Sequence, residues 1–325
     1  MIFVISNTFD PYFNLATEEF LLKNFEENVF YLYRNNPSII IGKNQNALSE
    51  INYEYVKNNN IPVVRRMSGG GAVFHDLGNL NFCFISNNKN GSSMDFKGFS
   101  KPIIDSINKL GIKAEFSGRN DLLIEGKKIS GNAQYHYKNK VLHHGTLLFS
   151  SNIDSLSDAL KVKKIKVESK GIKSFKSRVT NIESHLNKKM SIESFTKFIF
   201  DEVTYKCKGE IINFNDDEIR VINDLVHSKY KTWEYVYGKA PKYEFNNQIK
   251  YEAGAIELSM SINKGNIEKI QFFGDFFGIK DISELEKHLI GVKHLENDIK
   301  NAIENIELSE YFLNINEEYF LKLFE

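Results

Sequence analysis

The most specific stretch of this 325-residue chain runs Arg65-Arg66-Met67-Ser68-Gly69-Gly70-Gly71-Ala72-Val73-Phe74-His75-Asp76. Three consecutive glycines after a β-like run let the backbone approach a ligand where any Cβ would collide with it. Successive N–H groups in such a turn form an anion nest, and the fork of a neighbouring arginine matches the geometry of phosphate or carboxylate. A bare glycine triplet is more often a flexible turn between strands. The arginine pair, Ser68 and His75-Asp76 favour an anion-binding loop instead.

The segments before this loop predict a helix and a pair of strands. Asp10-Pro11 precedes an apolar stripe, which indicates a helix with an N-cap. Phe30 to Tyr33 and Ser38 to Ile41 are two apolar runs separated by Arg34-Asn35-Asn36-Pro37. This pattern predicts a hairpin.

The segments after the loop predict more strands than helices. Asp121 to Glu125, Lys128 to Tyr137 and Val141 to Phe149 form a predicted meander with tight turns between its strands. Such turns favour a mixed or antiparallel sheet over a doubly wound one. Lys161 to Arg178 carries eight basic residues and a single acid without helical or strand periodicity. It is predicted to be an exposed, mobile loop.

A second unit is predicted near the end of the chain. Its pattern is two strands, Ile249 to Ile262 and Asn266 to Phe273, followed by helices near Ile282 to Leu289 and Leu295 to Ile306. From Asp281 onward there are eleven acids and four bases. The length of the chain also suits two domains. The expected division is a first domain at residues 1–245 and a small, acidic α+β accessory domain at residues 246–325.

The composition excludes several classes of protein. The 42 basic residues balance the 42 acidic ones, so a general nucleic-acid or membrane-surface binder is not expected. With 42% hydrophobic residues the chain can bury a sizeable core. Two cysteines allow neither a disulfide framework nor a cysteine-based zinc site. The sequence shows no signal-peptide pattern and no apolar run of about 20 residues, so we expect a cytoplasmic protein.

The glycine loop belongs to an ordered series of motifs that together resemble the lipoate–protein ligases. The next members of the series are Gly118-Arg119-Asn120-Asp121, Lys128-Ile129-Ser130-Gly131 and His143-His144-Gly145-Thr146-Leu147-Leu148. Further matches are the helix start at Asp10-Pro11, Ser177 to Asn181, Trp233-Glu234 and Gly254 to Leu258. The resemblance extends over essentially the whole chain, and the combination is highly specific.

The resemblance implies both a fold and a reaction. The fold is α+β: a mixed β-sheet catalytic domain like those of class II synthetases and biotin ligases, with the small α+β accessory domain at the C-terminus. The reaction has two steps, in which lipoate and Mg²⁺-ATP give lipoyl-adenylate and pyrophosphate, and a carrier lysine then takes the lipoyl group. Because a carboxylate and a triphosphate repel, such a reaction depends on positioning and charge neutralisation. No permanently bound cofactor is expected.

The resemblance also assigns residues to the two substrates. Lys128 matches the family lysine that contacts both the α-phosphate and the acyl oxygen, so it is the expected catalytic residue. The expected ATP-binding residues are Arg66, Gly71, Ala72, Val73, Phe74, Asn79, Asn120, Asp121, Lys128 and Arg178. The expected lipoate-binding residues are Leu15, Tyr33, Arg66, Ser68, Gly70, His75, Lys128, Gly131 and His144. Metal ligands are not assigned.

The implied partners are the lipoyl domains of 2-oxoacid dehydrogenase complexes and/or the H-protein of the glycine cleavage system. The simplest expectation for the oligomeric state is a monomer. Three positions depart from the family pattern. Met67 replaces an often basic residue, which should change the packing of the loop more than its chemistry. Tyr33 stands where a tryptophan is common, so the acyl pocket differs in size or gains a hydroxyl. Asn132 replaces the commoner second serine of the Ser-Gly-Ser-Ala motif.

The main alternative is a lipoyl or octanoyl transferase of the same fold, which uses a pre-formed acyl-adenylate or an acyl-carrier donor. A thioester mechanism needs a reactive cysteine. Cys83 has the pattern of a core strand and Cys207 that of a helix end, and neither is expected near the Lys128 to Leu148 meander. A biotin ligase should carry a GRGRxxR-like loop, which this chain lacks. A non-catalytic lipoate-binding protein would not need a phosphate-neutralising lysine such as Lys128.

Overall fold

The structure is a computed structural model of the chain. It describes residues 1–45, 47–87, 94–118, 120–153, 178–237, 245–263 and 265–324. The predicted loop at Lys161 to Arg178 therefore lies outside the described residues, except for Arg178 itself. Arg119 also lies outside them.

The described strands form one large mixed sheet and two three-stranded sheets. The strands are β1 (Ile2–Ile5), β2 (Val29–Tyr33), β3 (Ser38–Ile41), β4 (Val63–Arg65), β5 (Val73–His75), β6 (Asn79–Asn87), β7 (Ala114–Ser117), β8 (Asp121–Ile124), β9 (Lys127–Tyr137), β10 (Lys140–Leu148), β11 (Glu210–Ile211), β12 (Phe245–Tyr251), β13 (Gly254–Asn263) and β14 (Asn266–Gly274). The eight-stranded sheet has the order β11-β1-β2-β6-β10-β9-β8-β7, and the small sheets have the orders β4-β3-β5 and β12-β13-β14.

The helices pack on the faces of these sheets. They are α1 (Pro11–Asn24), α2 (Ala47–Glu50), α3 (Tyr53–Asn58), α4 (Phe96–Asn108), α5 (Ile192–Lys206), α6 (Asp216–Leu225), α7 (Trp233–Val236), α8 (Ile282–Leu289), α9 (Glu296–Ile303) and α10 (Glu317–Leu321), with a π-helical turn at Val226–Tyr230 and 3₁₀ turns at Ile182–His185, Leu308–Glu310 and Lys322–Phe324. Across the described ranges, no helix combines the length and the apolarity that crossing a membrane requires.

The mixed sheet and its meander are confirmed. Strands β7, β8, β9 and β10 follow one another as antiparallel neighbours, and β10 then pairs with β6. The parallel pair of β1 with β2 makes the sheet mixed. The α+β class predicted from the sequence is therefore correct. Lys128 on β9 and His144 on β10 lie on neighbouring strands of the large sheet.

The predicted hairpin between Phe30 to Tyr33 and Ser38 to Ile41 is wrong. β2 lies in the large sheet between β1 and β6, whereas β3 is the centre of the small sheet between β4 and β5. Every residue of both strands is buried, so each strand needs cover on both of its faces. The Arg34 to Pro37 connection is a crossing between two sheets. As a result, β3 to β5 present the glycine loop beside the large sheet.

Helix α1 is the element that carries buried polar groups to the large sheet. Asp10 caps it by accepting hydrogen bonds from the N–H groups of Tyr12 and Phe13, as the sequence predicted. Glu19, buried within it, accepts hydrogen bonds from Lys23, Lys229 and Tyr230. Burial alone would raise the pKa of Glu19, but the hydrogen bonds from the two lysines lower it. These contacts fix α1 against the π-helical turn.

The C-terminal unit has a hydrophobic core of its own, which includes Ile256, Phe272, Leu285 and Phe312. The single predicted strand Ile249 to Ile262 is wrong in one respect, because it forms two strands, β12 and β13, joined by a tight turn. Gly254 after that turn has φ +151°, which disfavours any other residue. Helix α8 has the bounds that the sequence predicted.

Candidate active site

The glycine loop is shaped from within by Arg66. Its Nη2 donates hydrogen bonds to the carbonyl oxygens of Gly69 (2.7 Å) and Gly71 (2.9 Å), and its Nη1 donates to the carbonyl of Ile40 (3.2 Å). Gly70 has φ +94°, and a Cβ there would lie 2.9 Å from Arg66 Nη2. Burial lowers the pKa of Arg66 to about 10, so the guanidinium still carries its charge at neutral pH. In this conformation Arg66 holds the curve of the loop.

Arg65 holds a different part of the site. It is 1% exposed. Its guanidinium donates hydrogen bonds to five backbone carbonyls, those of Gly42, Lys43, Gln45, Tyr235 and Val236. Burial lowers its pKa to about 10. Arg65 thus ties the turn after β3 to helix α7. The same turn packs directly against the glycine loop, since a Cβ on Gly42 would lie 2.0 Å from the carbonyl oxygen of Gly70.

A series of buried hydrogen bonds runs from Arg66 into the large sheet, and we call it the acyl-side network. Arg66 Nε donates to Ser68 Oγ (3.1 Å), and Ser68 Oγ lies 2.6 Å from His144 Nε2. His144 Nδ1 lies 2.8 and 3.0 Å from the two carboxylate oxygens of Glu18. Tyr33 Oη donates to Glu18 Oε1 (3.0 Å). Four sequence-predicted lipoate residues, Arg66, Ser68, Tyr33 and His144, therefore meet in one network.

The donors and acceptors within the acyl-side network follow from the chemistry of its end groups. An ionised carboxylate only accepts hydrogen bonds, so Nδ1 of His144 carries the proton that Glu18 receives. Ser68 Oγ accepts from Arg66 Nε, and its hydroxyl donates to His144 Nε2 when the imidazole is neutral. Burial raises the pKa of Tyr33 well above its ordinary value, and the nearby Glu18 adds to the effect, so Tyr33 stays protonated. With a neutral imidazole, each bond of the network has one direction.

Glu18 was missed by sequence reasoning. It is only 1% exposed, yet it belongs to helix α1, whose other inward residues are mostly apolar. The available signal was the Thr17-Glu18-Glu19 run inside an otherwise apolar stripe. A buried carboxylate needs paired hydrogen-bond donors, and such a run in a buried helix indicates that donors are present.

His75 belongs to a second buried network beside the first. Its Nδ1 lies 3.0 Å from Asn35 Nδ2, and Asn35 Oδ1 accepts from Asn14 Nδ2 (2.8 Å). The Nε2 atom of His75 has no hydrogen-bond partner among the described residues. Burial, together with the smaller effects of Arg66 and His144, lowers the pKa of His75 to about 3. His75 is therefore neutral at physiological pH.

Lys128 and Asp121 form the third part of the site. Lys128 Nζ lies 2.7 Å from Asp121 Oδ1, and the two side chains are 37% and 34% exposed. Backbone bonds to both sides fix the position of Lys128 along β9, since its N–H donates to the carbonyl of Arg178 and its carbonyl accepts from Thr180 N–H. A Cβ on Gly131 would lie 3.1 Å from Lys128 Nζ, so glycine leaves room for the ammonium.

Asn120 and Asn132 join the turn before β8 to strand β9. Asn120 Nδ2 donates to the carbonyl of Asn132 (2.6 Å), and Asn132 Nδ2 donates to the carbonyl of Asn120 (2.9 Å). Asn132 Oδ1 would lie 2.3 Å from a Cβ on Gly145. The asparagine at this departure from the family pattern thus fills the space over Gly145 and pins the turn that carries Asp121.

A small apolar cleft lies next to the glycine loop. Its lining contains Phe74 and Val179 and is completed by Asp76, Leu148, Ser151, Asn152 and Ile153. Asp76 fixes one wall, because its carboxylate accepts hydrogen bonds from the N–H groups of Gly78 (2.9 Å) and Asn152 (2.7 Å). Ser151 Oγ is buried without a hydrogen-bond partner among the described residues. The cleft therefore offers one aromatic face and one buried hydroxyl.

The remaining predicted residues lie around these parts. Leu15 and Tyr33 belong to one buried apolar cluster, whereas Ala72 lies at the edge of another. Asn79 starts β6, where its Nδ2 donates to Asn81 Oδ1 (2.9 Å), while its Oδ1 is buried without a partner in the described part of the chain. In the ranges that the structure covers, no three His, Cys, Asp or Glu residues cluster as metal ligands.

The expected separation of both cysteines from the meander is wrong for Cys83. Strand β6 pairs with β10, and this register sets Cys83 directly opposite His144. Cys83 is nevertheless a core residue, as predicted, and is fully buried. Burial raises the pKa of its thiol well above the ordinary value, and the neighbouring Glu18 adds to the effect. A neutral, buried thiol is a poor nucleophile. Cys207 lies at the end of α5, as predicted.

Two family models match this chain. The one described as the lipoyl protein ligase A/B catalytic domain matches residues 10–204, and the one described as the bacterial lipoate protein ligase C-terminus matches residues 240–324. Lipoate-protein ligase LplJ of Bacillus subtilis (strain 168) is 45% identical over 322 residues, which are 98% of this chain and 97% of the relative.

Solved structures with the same fold carry different ligands. LipL1 of P. falciparum, in complex with lipoate, covers 99% of this chain and 97% of its own with a TM-score of 0.77 and 29% identity. A lipoate-protein ligase A bound with ATP covers 73% of this chain and 98% of its own with a TM-score of 0.64 and 26% identity. A bi-partite ligase from Thermoplasma acidophilum, described with its E2 lipoyl domain, covers 75% and 98% with a TM-score of 0.64 and 29% identity.

Proposed function

Because this chain belongs to the lipoate–protein ligase family, whose members are enzymes that form an amide bond, we propose that it carries out the whole ligation from lipoate and ATP. In the first step a lipoate carboxylate oxygen attacks the α-phosphorus of Mg²⁺-ATP. The bond from that phosphorus to the β,γ-pyrophosphate breaks, and pyrophosphate leaves. In the second step a carrier lysine amine attacks the acyl carbon, an amide forms, the amine loses a proton and AMP leaves.

The observation that carries this proposal is the ion pair of Lys128 with Asp121. Both side chains are about one-third exposed, so the ammonium can exchange its carboxylate partner for substrate oxygens at little cost. Removing charge repulsion between a carboxylate and a triphosphate needs a mobile cation of this kind. Lys128 accordingly stabilises the negative charge that develops on the α-phosphate and then on the acyl oxygen.

The buried side of the site suits lipoate. Leu15 and Tyr33 provide apolar cover for the hydrocarbon chain of lipoate. The acyl-side network ends at Ser68 and Arg66, where the carboxylate of lipoate can bind. Hydrogen bonds that are already formed before the substrate arrives cost no reorganisation during the reaction. The bound lipoate in the P. falciparum relative supports this assignment.

The apolar cleft suits the adenine of ATP. Phe74 provides an aromatic face, and Ser151 Oγ is a buried polar atom without a partner among the described residues, available to a ring nitrogen or the exocyclic amine. The neighbouring backbone of Gly71 to Val73 leads to the phosphates, with Asn79, Asn120 and the Arg178 segment around them. The ATP bound to a ligase of the same fold supports this part of the proposal.

The proposed acceptors are lipoyl domains of 2-oxoacid dehydrogenase complexes and/or the H-protein of the glycine cleavage system. The description of the T. acidophilum ligase with its E2 lipoyl domain supports the first class. We further propose residues 1–245 as the catalytic domain and residues 246–325 as the accessory domain.

Incubation of the purified chain with lipoate, Mg²⁺-ATP and a lipoyl domain tests the proposal. We expect the mass of the lipoyl domain to increase by one lipoyl group. The transferase alternative predicts no increase with ATP and an increase with synthetic lipoyl-AMP. That second outcome would overturn the proposal of a complete ligase.

A further inference from the structure

A segment of the C-terminal unit is docked on the glycine loop. Gly70 N–H donates a hydrogen bond to the carbonyl of Phe276 (3.4 Å). A Cβ on Gly69 would lie only 2.5 Å from the same carbonyl oxygen. The absence of side chains at Gly69 and Gly70 therefore serves this contact as well as any ligand.

The neighbouring residues of the segment strengthen the docking. Phe277 is 1% exposed and packs against Phe96 and Ala133 of the first unit. Gly274 N–H donates to the carbonyl of Asn44 (2.8 Å). The segment between these two anchors is thus held at the loop by contacts on both sides. The residue between Gly274 and Phe276 is Asp275.

The carboxylate of Asp275 is positioned by its own unit and directed at the loop. Its Oδ1 accepts a hydrogen bond from Ala255 N–H (2.6 Å), and a Cβ on Gly254 would lie 2.8 Å from this oxygen. Its Oδ2 would lie 4.0 Å from a Cβ on Gly71 and accepts no hydrogen bond from the described residues. One oxygen is therefore anchored, and the other faces the loop that leads to the triphosphate.

A carboxylate at this position repels a triphosphate unless a cation lies between them. The cation that accompanies ATP is Mg²⁺, which takes one or two protein carboxylates together with the phosphate oxygens of its nucleotide. Asp275 meets that requirement with an acceptor-only oxygen beside Gly71. The described acids of the first unit at the site already have partners: Asp121 pairs with Lys128, Asp76 accepts hydrogen bonds from the N–H groups of Gly78 and Asn152, and Glu18 binds His144 and Tyr33.

We propose that Asp275 is a nucleotide-site residue that the C-terminal unit contributes to the first step, where its carboxylate faces the Mg²⁺ of Mg²⁺-ATP. The inference rests on the proposed function and adds to it a reason for the second unit. The first step then needs the C-terminal unit to be docked on the loop, whereas transfer from a finished adenylate, which has lost pyrophosphate, does not need Asp275.

A purely structural role makes a different prediction. If Asp275 only accepts the hydrogen bond from Ala255 N–H, the Asp275→Asn variant keeps that bond through its amide oxygen and behaves as the unchanged protein. If the charge faces Mg²⁺, the same variant loses the first step. Glu252, an exposed acid in the turn between β12 and β13, provides the matched control as Glu252→Gln.

The experiment uses the full chain and three measurements. The first is pyrophosphate release from lipoate and Mg²⁺-ATP, the second is transfer from synthetic lipoyl-AMP to a lipoyl domain, and the third is the calorimetric affinity for ATP with Mg²⁺ or with EDTA. For Asp275→Asn we expect pyrophosphate release to fall at least tenfold, transfer to stay within twofold, and the gain in ATP affinity from Mg²⁺ to disappear. Glu252→Gln should match the unchanged protein in all three.

The outcomes separate this inference from the proposed function. Equal pyrophosphate release by the unchanged protein and Asp275→Asn would overturn the inference and leave the function intact. A parallel loss of transfer in Asp275→Asn, or an unchanged effect of Mg²⁺ on ATP affinity, would also overturn the inference. Failure of the unchanged protein to release pyrophosphate would overturn the proposed function itself.

Discussion

The acyl-side network and the Lys128–Asp121 pair are two polar assemblies of one site, but they are built in opposite ways. In the first, Glu18 is 1% and His144 9% exposed, and buried hydrogen bonds join each side chain to the next. In the second, both side chains are about one-third exposed and share one ion pair. The difference teaches that folding alone completes the acyl side, whereas the phosphate side keeps its cation available to exchange partners with the substrate.

The largest expected effect breaks the exposed assembly. Lys128→Ala should lower the rate of pyrophosphate release at least about a thousandfold, or about 4 kcal/mol in activation free energy, because Lys128 is the cation proposed to contact both the α-phosphate and the acyl oxygen. The free energy of unfolding should stay within about 0.5 kcal/mol, since the lost ion pair is exposed. Lys127→Ala, the exposed neighbour in the same hairpin, is the control. Normal pyrophosphate release by Lys128→Ala would remove the role assigned to this lysine.

The next effect breaks the buried assembly. Glu18→Ala should lower the free energy of unfolding by about 3 kcal/mol, because His144 and Tyr33 lose a buried acceptor. Glu18→Gln retains an acceptor and should lose less. Urea unfolding measures both, with the exposed Glu27→Ala as control. If Glu18→Ala changed the free energy of unfolding by less than about 0.5 kcal/mol, the acyl-side network would not be part of the folded core.

The free energy of unfolding should fall in acid because of buried histidines. Burial lowers the pKa of His75 and of His143 to about 3. The unfolded chain therefore binds protons first as the pH falls below about 6.5, and stability is lost between that pH and about 3. At pH 5 each histidine should cost about 2 kcal/mol relative to neutral pH, since each pH unit is worth about 1.4 kcal/mol.

Urea unfolding at pH 7 and pH 5 measures this loss. His143→Phe should remove about 2 kcal/mol of this loss, because one titrating imidazole is gone. A phenyl ring suits the position, since His143 packs among Phe82, Phe96 and Phe99. Replacing the exposed His227 by Asn should leave the loss unchanged. Equal stability of the unchanged protein at the two pH values would show that neither buried histidine is held neutral.

The smallest effect sharpens the comparison. Asp121→Asn removes the charge that pairs with Lys128, and we expect it to change the free energy of unfolding by at most about 0.5 kcal/mol. Urea unfolding beside Glu18→Ala compares the two carboxylates directly. A loss in Asp121→Asn as large as that in Glu18→Ala would mean that both assemblies are equally part of the core, and the distinction between them would be lost.

The sequence predicted the parts of this site that are local. The cap at Asp10, the meander strands and the glycine loop follow from residues adjacent in the chain, as do the bounds of α8. The motifs also singled out Lys128, Ser68 and His144, which lie in the ion pair and in the buried network, while their roles stay predictions. What could not be predicted depends on pairing over long distances. Glu18 reaches His144 across 126 positions, and Cys83 meets His144 through the register of β6 and β10.

The wrong hairpin has a similar cause. Two fully buried apolar runs carry no alternation that tells which sheet each strand joins, so the four-residue connection at Arg34 to Pro37 looked like a turn. The buried amide of Asn35 reveals the true path, because it bonds both to Asn14 on α1 and to His75 after the glycine loop. Only the folded chain brings those three residues together.

The most direct test of the central claim is the formation of lipoyl-AMP by this chain without any carrier protein. The purified chain is mixed with lipoate and Mg²⁺-ATP, and pyrophosphate and lipoyl-AMP are measured by chromatography. We predict equal amounts of the two products, close to one per enzyme molecule, and none of either from Lys128→Ala. Absence of lipoyl-AMP with the unchanged protein, together with active transfer from synthetic lipoyl-AMP, would contradict the claim that this chain activates lipoate itself.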